Sequence, residues 1–386
     1  MVYRLRVGTL LLMGGFGVMG GGLLAPALPA LLAPFEVDEG SVGLVLSVYT
    51  FAAALTLPFT GLLLDLLGRK TVGITCLLID GLFGLLCTTA PSFTVLLVLR
   101  FVQGIGIAGL IPVAMTVVSD WYEGEQRLRI MGFLSGTIAV AAVVIPLVGG
   151  LLAELDWRYP FAVYGFSLVL APVFLVLIPE SAPGAQLTDM RSKTRTYLGR
   201  LRSALGLRGV REVFLHSFGI YFLLYALVTF VPLFLAGVYG LGVGVAGVAI
   251  SLNGFVAALV AAHAVAINRR IGKRLTISFG YLTIAVSLTT IPLWPGLPGV
   301  AVSLILFGMG MGVVQPVIFN WATTAGPPGL IGSIVALFNT LKFIGMTAAP
   351  VALRGVYGVG GLILTFAAAG LIAVLWALRA FARAES

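Results

Sequence analysis

Charged residues are scarce in this sequence, and histidine and cysteine are nearly absent. Only 10% of the 386 residues are charged, and the chain contains two histidines and two cysteines. So few metal-binding side chains, scattered among apolar residues, argue against a zinc-type site of clustered histidine and cysteine ligands. Cys76 and Cys87 share one apolar run, about 16 Å apart along a helix, which is too far for a disulfide bond.

Two further absences bear on catalysis. No Gly-Lys phosphate-binding loop follows a predicted strand, and the many glycines lie inside apolar runs instead. The sequence also lacks a cluster of acids, bases and nucleophiles. We therefore expect no ATP hydrolysis, no bound cofactor or metal, and no enzymatic activity.

Apolar residues dominate what remains. They make up 60% of the sequence, and the mean hydropathy is +1.11. A soluble protein of this size could not keep its surface largely polar with such a composition. We therefore predict an all-α protein that crosses the membrane many times.

Twelve apolar runs are long enough to cross a bilayer, which takes about 20 residues as a helix. They cover residues 7–33, 41–64, 71–90, 93–118, 130–153, 159–178, 213–238, 243–267, 275–294, 298–320, 329–353 and 356–381. We refer to these runs as spans one to twelve.

Basic residues distribute unevenly between alternate loops. With the N-terminus inside, one side receives nearly all lysines and arginines outside the spans, whereas the other side receives only Arg158 and Arg354. Because lysine and arginine concentrate in cytoplasmic loops, we predict a plasma-membrane protein with both termini in the cytoplasm. The same bias explains the net charge of +9 without nucleic-acid binding.

One long connection divides the chain. We predict a first domain at residues 1–178, a basic linker at residues 179–212 and a second domain at residues 213–386. The linker is either solvated or an amphipathic helix on the lipid surface.

The two domains are related in sequence. A shift of 204 positions places Gly68-Arg69-Lys70 on Gly272-Lys273-Arg274. The same shift places Pro91, Pro112 and Pro146 on Pro295, Pro316 and Pro350. Parallel repeats of six spans are one way in which transporters build a substrate cavity between two rocking halves.

A short polar motif lies between spans two and three. Gly61 and Asp65 are followed by Gly68, Arg69 and Lys70 in the pattern G-x-x-x-D-x-x-G-R-K. This pattern resembles the loop between helices 2 and 3 of major facilitator superfamily transporters. The resemblance implies twelve transmembrane helices in two pseudo-symmetric six-helix bundles, which move a small solute by alternating access.

In that family, the acid and the base of this loop join an acid at the end of span four. The resulting charge network latches the cytoplasmic side when that side is closed. Asp120 is the matching acid in this sequence, so the resemblance implies a gate made of Asp65, Arg69 and Asp120. The alternative is that Arg69 and Lys70 only hold their loop in the cytoplasm.

Two other motifs support the resemblance. Arg100 and Gln103 in span four resemble the R-x-x-Q-G motif of the family. Pro146, Gly149 and Gly150 in span five resemble the end of the antiporter motif G-P-x-x-G-G, although an isoleucine replaces the glycine before the proline. The same proline and glycines would also produce a kinked, closely packed helix.

Spans seven and eleven supply candidate cavity residues. Asn339 and Lys342 share one helix face in span eleven. A lysine in the hydrocarbon costs about 2.5–3.5 kcal/mol, so we expect Lys342 either to face a water-filled cavity or to reach the outer surface. Tyr221 and Tyr225 in span seven form either an aromatic wall for the substrate or ordinary packing.

Asp80 is the only acid deep inside a span. We expect it opposite Gln103 and one turn from Arg100, paired with one of them. Such a carboxylate either carries a proton for coupling or forms a permanent structural pair. If Asp80 is structural, His263 is the next candidate for a proton carrier.

These features predict a secondary active transporter. Its expected partners are a small-molecule substrate, protons and membrane lipids, and we expect a monomer. We predict proton-coupled efflux of amphipathic, drug-like compounds. Uptake of a small organic anion is the alternative, because Arg100 and Lys342 would make the cavity cationic and span one holds no acid between Arg6 and Glu36. A membrane-embedded enzyme or receptor is a third hypothesis.

Overall fold

The computed structural model describes residues 2–180, 199 and 201–383, and in this part of the chain it contains helices and turns but no strand. The helices, labelled here in chain order, are α1 (Val2–Phe16), α2 (Met19–Gly22), α3 (Leu32–Phe35), α4 (Glu39–Val42), α5 (Leu44–Leu67), α6 (Arg69–Leu86), α7 (Phe93–Trp121), α8 (Gly124–Leu155), α9 (Tyr159–Ala162), α10 (Gly165–Leu177), α11 (Arg208–Tyr239), α12 (Val243–Ala261), α13 (Ala264–Thr290), α14 (Leu297–Thr324) and α15 (Ile331–Arg383).

The first predicted span is a broken helix. Helix α1 ends at Phe16, and the chain continues through α2, a 3₁₀ turn at Leu28–Leu31 and α3. The break contains a run of three glycines at 20–22 and prolines at 26 and 29. Glycine and proline are the weakest helix formers, so this stretch does not continue as a single helix.

Ten helices among the described residues are long and apolar enough to cross a membrane. The longest helix, α15, contains the last two predicted spans. Its backbone leaves the helical region at Gly360 and Gly361, so it comprises two crossings. The broken first span adds one further crossing. The architecture is therefore consistent with the twelve predicted spans.

The internal repeat is visible in the backbone. Gly68, between α5 and α6, has φ 87° and ψ 155°, and Gly272, inside α13, has φ 80° and ψ 158°. Glycine adopts positive φ at little cost because it lacks a side chain. The shift of 204 positions therefore relates two equivalent helix breaks, each of which precedes two basic residues.

Helix packing follows the same repeat. A side chain at Gly104 would collide with the carbonyl group of Tyr49, and one at Gly308 would collide with the carbonyl oxygen of Asn253. These four residues are equivalent under the 204-residue shift. Gly106 and Gly310 likewise abut the carbonyl oxygens of Cys76 and Gly280, a second equivalent pair. The two halves thus share one packing scheme.

The halves are in contact at one end of the molecule. Gly43, just before α5, lies against Thr229 and Pro350 of the second half, and Gly150 in α8 lies against Gly247 in α12. A methyl group added at Gly43 would lie 3.0 Å from Pro350, and one added at Gly150 would lie 2.9 Å from Gly247. We call this end, which carries Glu39, the opposite end, because it lies opposite the end that carries Arg69.

The halves separate toward the other end. Gly61 and Gly132 lie eighteen residues from Gly43 and Gly150 on the same helix faces, about five turns or roughly 27 Å away. Both are exposed, and nothing lies within 4 Å of the position a side chain would take. The faces that meet at the opposite end are therefore uncovered at the end that carries Arg69, which we call the basic end, and we interpret this gap between the halves as a cavity.

Most of the predicted linker, including residues 181–198, lies outside the described residues. Residues 208–212 belong to α11, which therefore begins inside the predicted linker.

Candidate functional site

Arg69 joins two acids at the basic end. Its Nε atom donates a 2.9 Å hydrogen bond to Asp120 Oδ2 in α7, and its Nη1 atom lies 3.3 Å from Asp65 Oδ1 in α5. Both pairs exist while the basic end is open, which differs from the expectation that the network forms when that end is closed. The reason is that all three residues belong to the first half, so their contacts do not depend on the gap between the halves.

Glu180 fixes the loop that contains Gly68. Its carboxylate accepts hydrogen bonds from the backbone N–H groups of Arg69 at 2.8 Å and Lys70 at 3.1 Å, in the first turn of α6. A carboxylate here satisfies free backbone donors and faces the positive end of the helix dipole. Any side chain at Gly68 would collide with it. Sequence reasoning missed Glu180, because its partners are 110 and 111 residues away.

A buried polar cluster lies inside the first half and consists of Asp80, Arg100, Gln103, Tyr164 and Ser167. Asp80 accepts hydrogen bonds from Gln103 Nε2 at 3.1 Å and from the Ser167 hydroxyl at 2.8 Å. Arg100 Nη1 donates to Gln103 Oε1 at 2.6 Å. The Gln103 amide therefore connects the acid to the guanidinium. Sequence reasoning missed Tyr164 and Ser167.

Arg100 holds the backbone of the broken first span. Its Nη2 atom donates to the Gly20 carbonyl oxygen at 2.8 Å, and its guanidinium lies 3.9 Å from the centre of the Tyr49 ring. Asp80, Arg100 and Gln103 are 0% exposed. The expectation that Arg100 gives the cavity positive charge is therefore not met, because its donors are used inside the first half.

The positions of the second half that are equivalent to Asp80, Arg100 and Gln103 carry apolar residues. The 204-residue shift places Asp80, Arg100 and Gln103 on Ile284, Leu304 and Phe307, which are also buried. The shared packing scheme therefore does not require polar groups at these positions. Burying charged groups costs several kcal/mol per ion, so at these positions only the first half bears this free-energy cost.

The cavity wall of the second half is polar. Gln315 Nε2 donates a 2.6 Å hydrogen bond to the Tyr221 hydroxyl, and Lys342 Nζ lies 4.8 Å from the centre of the Tyr221 ring. We call Tyr221, Gln315 and Lys342 the cationic wall. Lys342 is partly exposed, and within the described ranges it forms no ion pair with a carboxylate. Sequence reasoning missed Gln315, whose only signal was an amide within an apolar run.

Two other candidates lie close to this wall. Asn339 is partly exposed one turn from Lys342, and its Nδ2 atom donates to the Val335 carbonyl oxygen at 3.0 Å. Tyr225 is 7% exposed, and its hydroxyl lies against Gly21 of the first half. Tyr221 is 4% exposed. The two tyrosines are therefore mostly packed rather than broadly open to the cavity.

Pro146, Gly149 and Gly150 lie in α8 at the closed opposite end, where Pro146 and Gly150 contact the second half and Gly149 packs within the first half. Pro146 is inside α8, Gly149 abuts the backbone of Leu23, and Gly150 abuts Gly247. These small residues allow two backbones to approach closely. The motif thus contributes to the closed opposite end.

Hydrogen bonds also cross between the halves at this end. The Tyr357 hydroxyl donates to Glu39 Oε2 at 2.6 Å, and the hydroxyls of Thr50 and Thr347 are 2.9 Å apart. We call these two bonds the opposite-end latch. Sequence reasoning missed all four residues, which belong to helices of different halves and carry no motif.

Asp38 fixes the start of α4 beside this latch. Its carboxylate accepts hydrogen bonds from the hydroxyl and the backbone N–H of Ser41, which is the usual arrangement of a helix N-cap. The Ser41 hydroxyl lowers the pKa of Asp38 below its ordinary value, and Arg354 of the second half lowers it further. Asp38 is therefore ionised at neutral pH.

Known proteins share this sequence pattern and fold. The sequence model of the Major Facilitator Superfamily matches residues 10–350. The chain is 28% identical over 356 residues to the bacillibactin exporter of Bacillus subtilis, which covers 86% of this chain and 85% of that protein. It is 29% identical over 357 residues to the class G tetracycline resistance protein of Vibrio anguillarum, which covers 87% of each.

A solved structure of a bacterial homologue of the human lysosomal transporter Spinster, in an inward-facing and occupied conformation, superposes with a TM-score of 0.82. The match covers 98% of this chain and 96% of the other at 17% identity, so it shows a common fold. Because the family match spans most of the sequence and the fold agrees with it, this chain belongs to the Major Facilitator Superfamily and is a multi-pass membrane transporter rather than an enzyme.

Proposed function

We propose that this transporter is a proton-coupled exporter of amphipathic, drug-like compounds in the plasma membrane. The observation that carries the proposal is the hydrogen-bonded series from Asp80 through Gln103 to Arg100, present in one half only. The bacillibactin exporter, which matches over most of its length, supports the direction of transport.

The described conformation is the one in which an exporter loads substrate. By the distribution of basic residues, the basic end faces the cytoplasm, and the cavity opens there. The opposite-end latch keeps the other end closed. We propose that closing the basic end brings the loop at Asp65 and Arg69 against the second half and gives these residues their gating role.

Protonation of Asp80 provides a route from the proton to the gate. An ionised Asp80 accepts hydrogen bonds from Gln103 and Ser167, whereas a protonated carboxyl group loses acceptor capacity. Gln103 then holds Arg100 less firmly. Arg100 contacts the carbonyl oxygens of Gly20 and Val45, so the proton acts on the helices that form the cavity wall.

We propose that one chain is the working unit. The cavity lies between residues 1–178 and residues 213–386 of the same chain, so no second copy is needed to complete it. Residues 179–212 then act as a linker that permits the halves to rock, and lipid surrounds both halves.

An Asp80→Asn variant tests the proposal. Asparagine keeps the size of the side chain but removes the proton site. The assay uses proteoliposomes with tetracycline as the probe, placed on the side of the membrane that the cytoplasmic face of the transporter meets. We expect the rate of tetracycline transport by the wild type to depend on an imposed proton gradient. We expect the variant to exchange tetracycline without responding to the gradient.

Asp156→Asn is the matched control, because Asp156 lies at the opposite end, where it contacts the exposed Arg158. This variant should respond to the gradient as the wild type does. If folded Asp80→Asn protein also responds normally, Asp80 is a structural residue and the test moves to His263.

Uptake of a small organic anion is a second candidate function, favoured by the positive charge of the partly exposed Lys342. The same proteoliposomes distinguish the two. Export by antiport accelerates when protons flow down their gradient in the direction opposite to the substrate. Uptake by symport accelerates when protons flow down their gradient in the same direction as the substrate.

A further inference from the structure

We propose that the substrates of this transporter are amphipathic organic anions, and that Lys342 and Tyr221 bind their carboxylate head group. The apolar body would then lie on the facing wall of the first half. This inference rests on the proposed transport function and names its substrate class.

Lys342 lies near the closed end of the cavity. Thr347, five residues further along the helix and about 7.5 Å away, bonds across the halves to Thr50. Phe343, next to Lys342, packs against the core of the first half. A ligand that enters from the basic end therefore meets Lys342 at the deepest point it can reach.

The positive charge of Lys342 is not neutralised. Its Nζ atom lies 4.8 Å from the ring centre of Tyr221 and 5.6 Å from that of Phe343. Aromatic faces attract an ammonium group but carry no net charge. Since no carboxylate of the described chain pairs with it, a bound anion would supply the missing counter-charge.

Tyr221 supplies a second donor. Gln315 Nε2 donates to the Tyr221 oxygen, so that bond leaves the phenolic hydrogen free to be donated elsewhere. A carboxylate has two oxygens that accept hydrogen bonds. One oxygen can bind the Lys342 ammonium group while the other accepts from Tyr221. Hydrogen bonds with an ionised partner are about twice as strong as neutral ones.

The repeat shows that this polarity belongs to one wall only. The 204-residue shift places Tyr221, Gln315 and Lys342 on Gly17, Ile111 and Ile138. A side chain at Gly17 would collide with Ile111, so the contact between these two helix positions exists in both halves. In the first half, however, the contact is apolar. The cavity thus presents one cationic wall and one apolar wall, which fits a ligand with a charged head and an apolar body.

Anion export agrees with the electrical field across the membrane. A membrane potential that is negative inside drives negative charge outward. The same potential opposes the return of the anion after its release. Neither effect requires a further charged residue.

Three probes with one bicyclic body test the inference: 1-naphthylacetate, its primary amide and 1-naphthylmethylammonium. Their binding to the full chain in detergent is measured by calorimetry. We expect the carboxylate to bind about tenfold tighter than the amide, and the ammonium compound to bind most weakly. Lys342→Met should remove the preference for the carboxylate, and Lys342→Arg should retain it.

Two further variants separate a local effect from a general one. Tyr221→Phe should weaken carboxylate binding several-fold and leave amide binding unchanged. Arg211→Met, which removes an exposed charge at the start of α11, should change neither. Equal affinities for carboxylate and amide, a preference that survives Lys342→Met, or no carboxylate binding at any soluble concentration would overturn the inference. Because the titration needs no proton gradient, its failure would leave the Asp80 experiment unaffected.

Discussion

Asp80 and Ile284 occupy equivalent positions in the two halves, and both are fully buried. The sequence alone identified Asp80 as an isolated acid and placed Gln103 opposite it. It did not indicate that Arg100 would reach the acid through the Gln103 amide, because Gly20 and Val45 compete for the same guanidinium. These backbone acceptors are set by the fold of the first span.

Arg100→Leu should destabilise the protein by about 3–5 kcal/mol, as expected when one partner of a buried charged network is removed. The double variant Asp80→Ile, Arg100→Leu carries the residues of the second half at these two positions. Its loss in the free energy of unfolding should be smaller than the sum of the losses in the two single variants by about 1 kcal/mol or more. Chemical unfolding in detergent measures this difference. Strictly additive effects would mean that the two residues are not coupled through Gln103.

Gly68→Ala should destabilise the basic-end loop more than Gly272→Ala. Both glycines have positive φ, so alanine strains both by more than about 0.4–1 kcal/mol. At Gly68 the added methyl group also meets the Glu180 carboxylate, whereas nothing lies within 4 Å at Gly272. Thermal unfolding of the two variants compares these costs.

Adding Glu180→Ala provides the control for that comparison. In a Glu180→Ala background, the costs of Gly68→Ala and Gly272→Ala should become more nearly equal, because the carboxylate that meets the added methyl group is gone. Equal destabilisation by Gly68→Ala and Gly272→Ala would show that Glu180 does not constrain the loop.

At the scale of helices, the spans were predictable because lipid requires long apolar runs, but the shape of span one was not. The prediction treated residues 7–33 as one run, whereas the helix breaks after Phe16. Glycines and prolines in that run were visible in the sequence. The structural role of the break could not be read from the sequence, because the Gly20 carbonyl oxygen accepts its hydrogen bond from Arg100, 80 residues away.

Gly43 and Gly61 form a matched pair at the two ends of span two. Leucine at Gly43 would press on Thr229 and Pro350 and should open the opposite end. Leucine at Gly61 meets open space in the described conformation and should leave that end closed. Thr50, which is 0% exposed at the closed end, serves as the reporter when it is replaced by cysteine.

Labelling of Thr50→Cys with a membrane-impermeant maleimide measures the opening, in a background where the buried Cys76 and Cys87 are alanine. The rate should rise several-fold with Gly43→Leu and stay unchanged with Gly61→Leu. Equal rates in the two variants would contradict the assignment of open and closed ends.

At the scale of the whole molecule, the two halves have the same backbone plan and different side chains where function is proposed. The sequence revealed the plan through the shift of 204 positions, because glycines and prolines that fix helix breaks and contacts repeat at that spacing. The opposite-end latch could not be predicted, since Glu39 and Tyr357 are 318 residues apart and neither belongs to a repeated motif.

The central claim is that the halves rock, so that one end closes as the other opens. Spin labels at the exposed positions Leu128 and Ile271 report on the basic end, and labels at Leu155 and Leu293 report on the opposite end. Double electron-electron resonance measures the distance between the two labels of each pair in lipid nanodiscs, in alkaline and acidic buffer, with and without 1-naphthylacetate. We predict that the basic-end distance shortens in the same fraction of molecules in which the opposite-end distance lengthens. One fixed distance at each end under every condition, or simultaneous opening of both ends, would contradict alternating access.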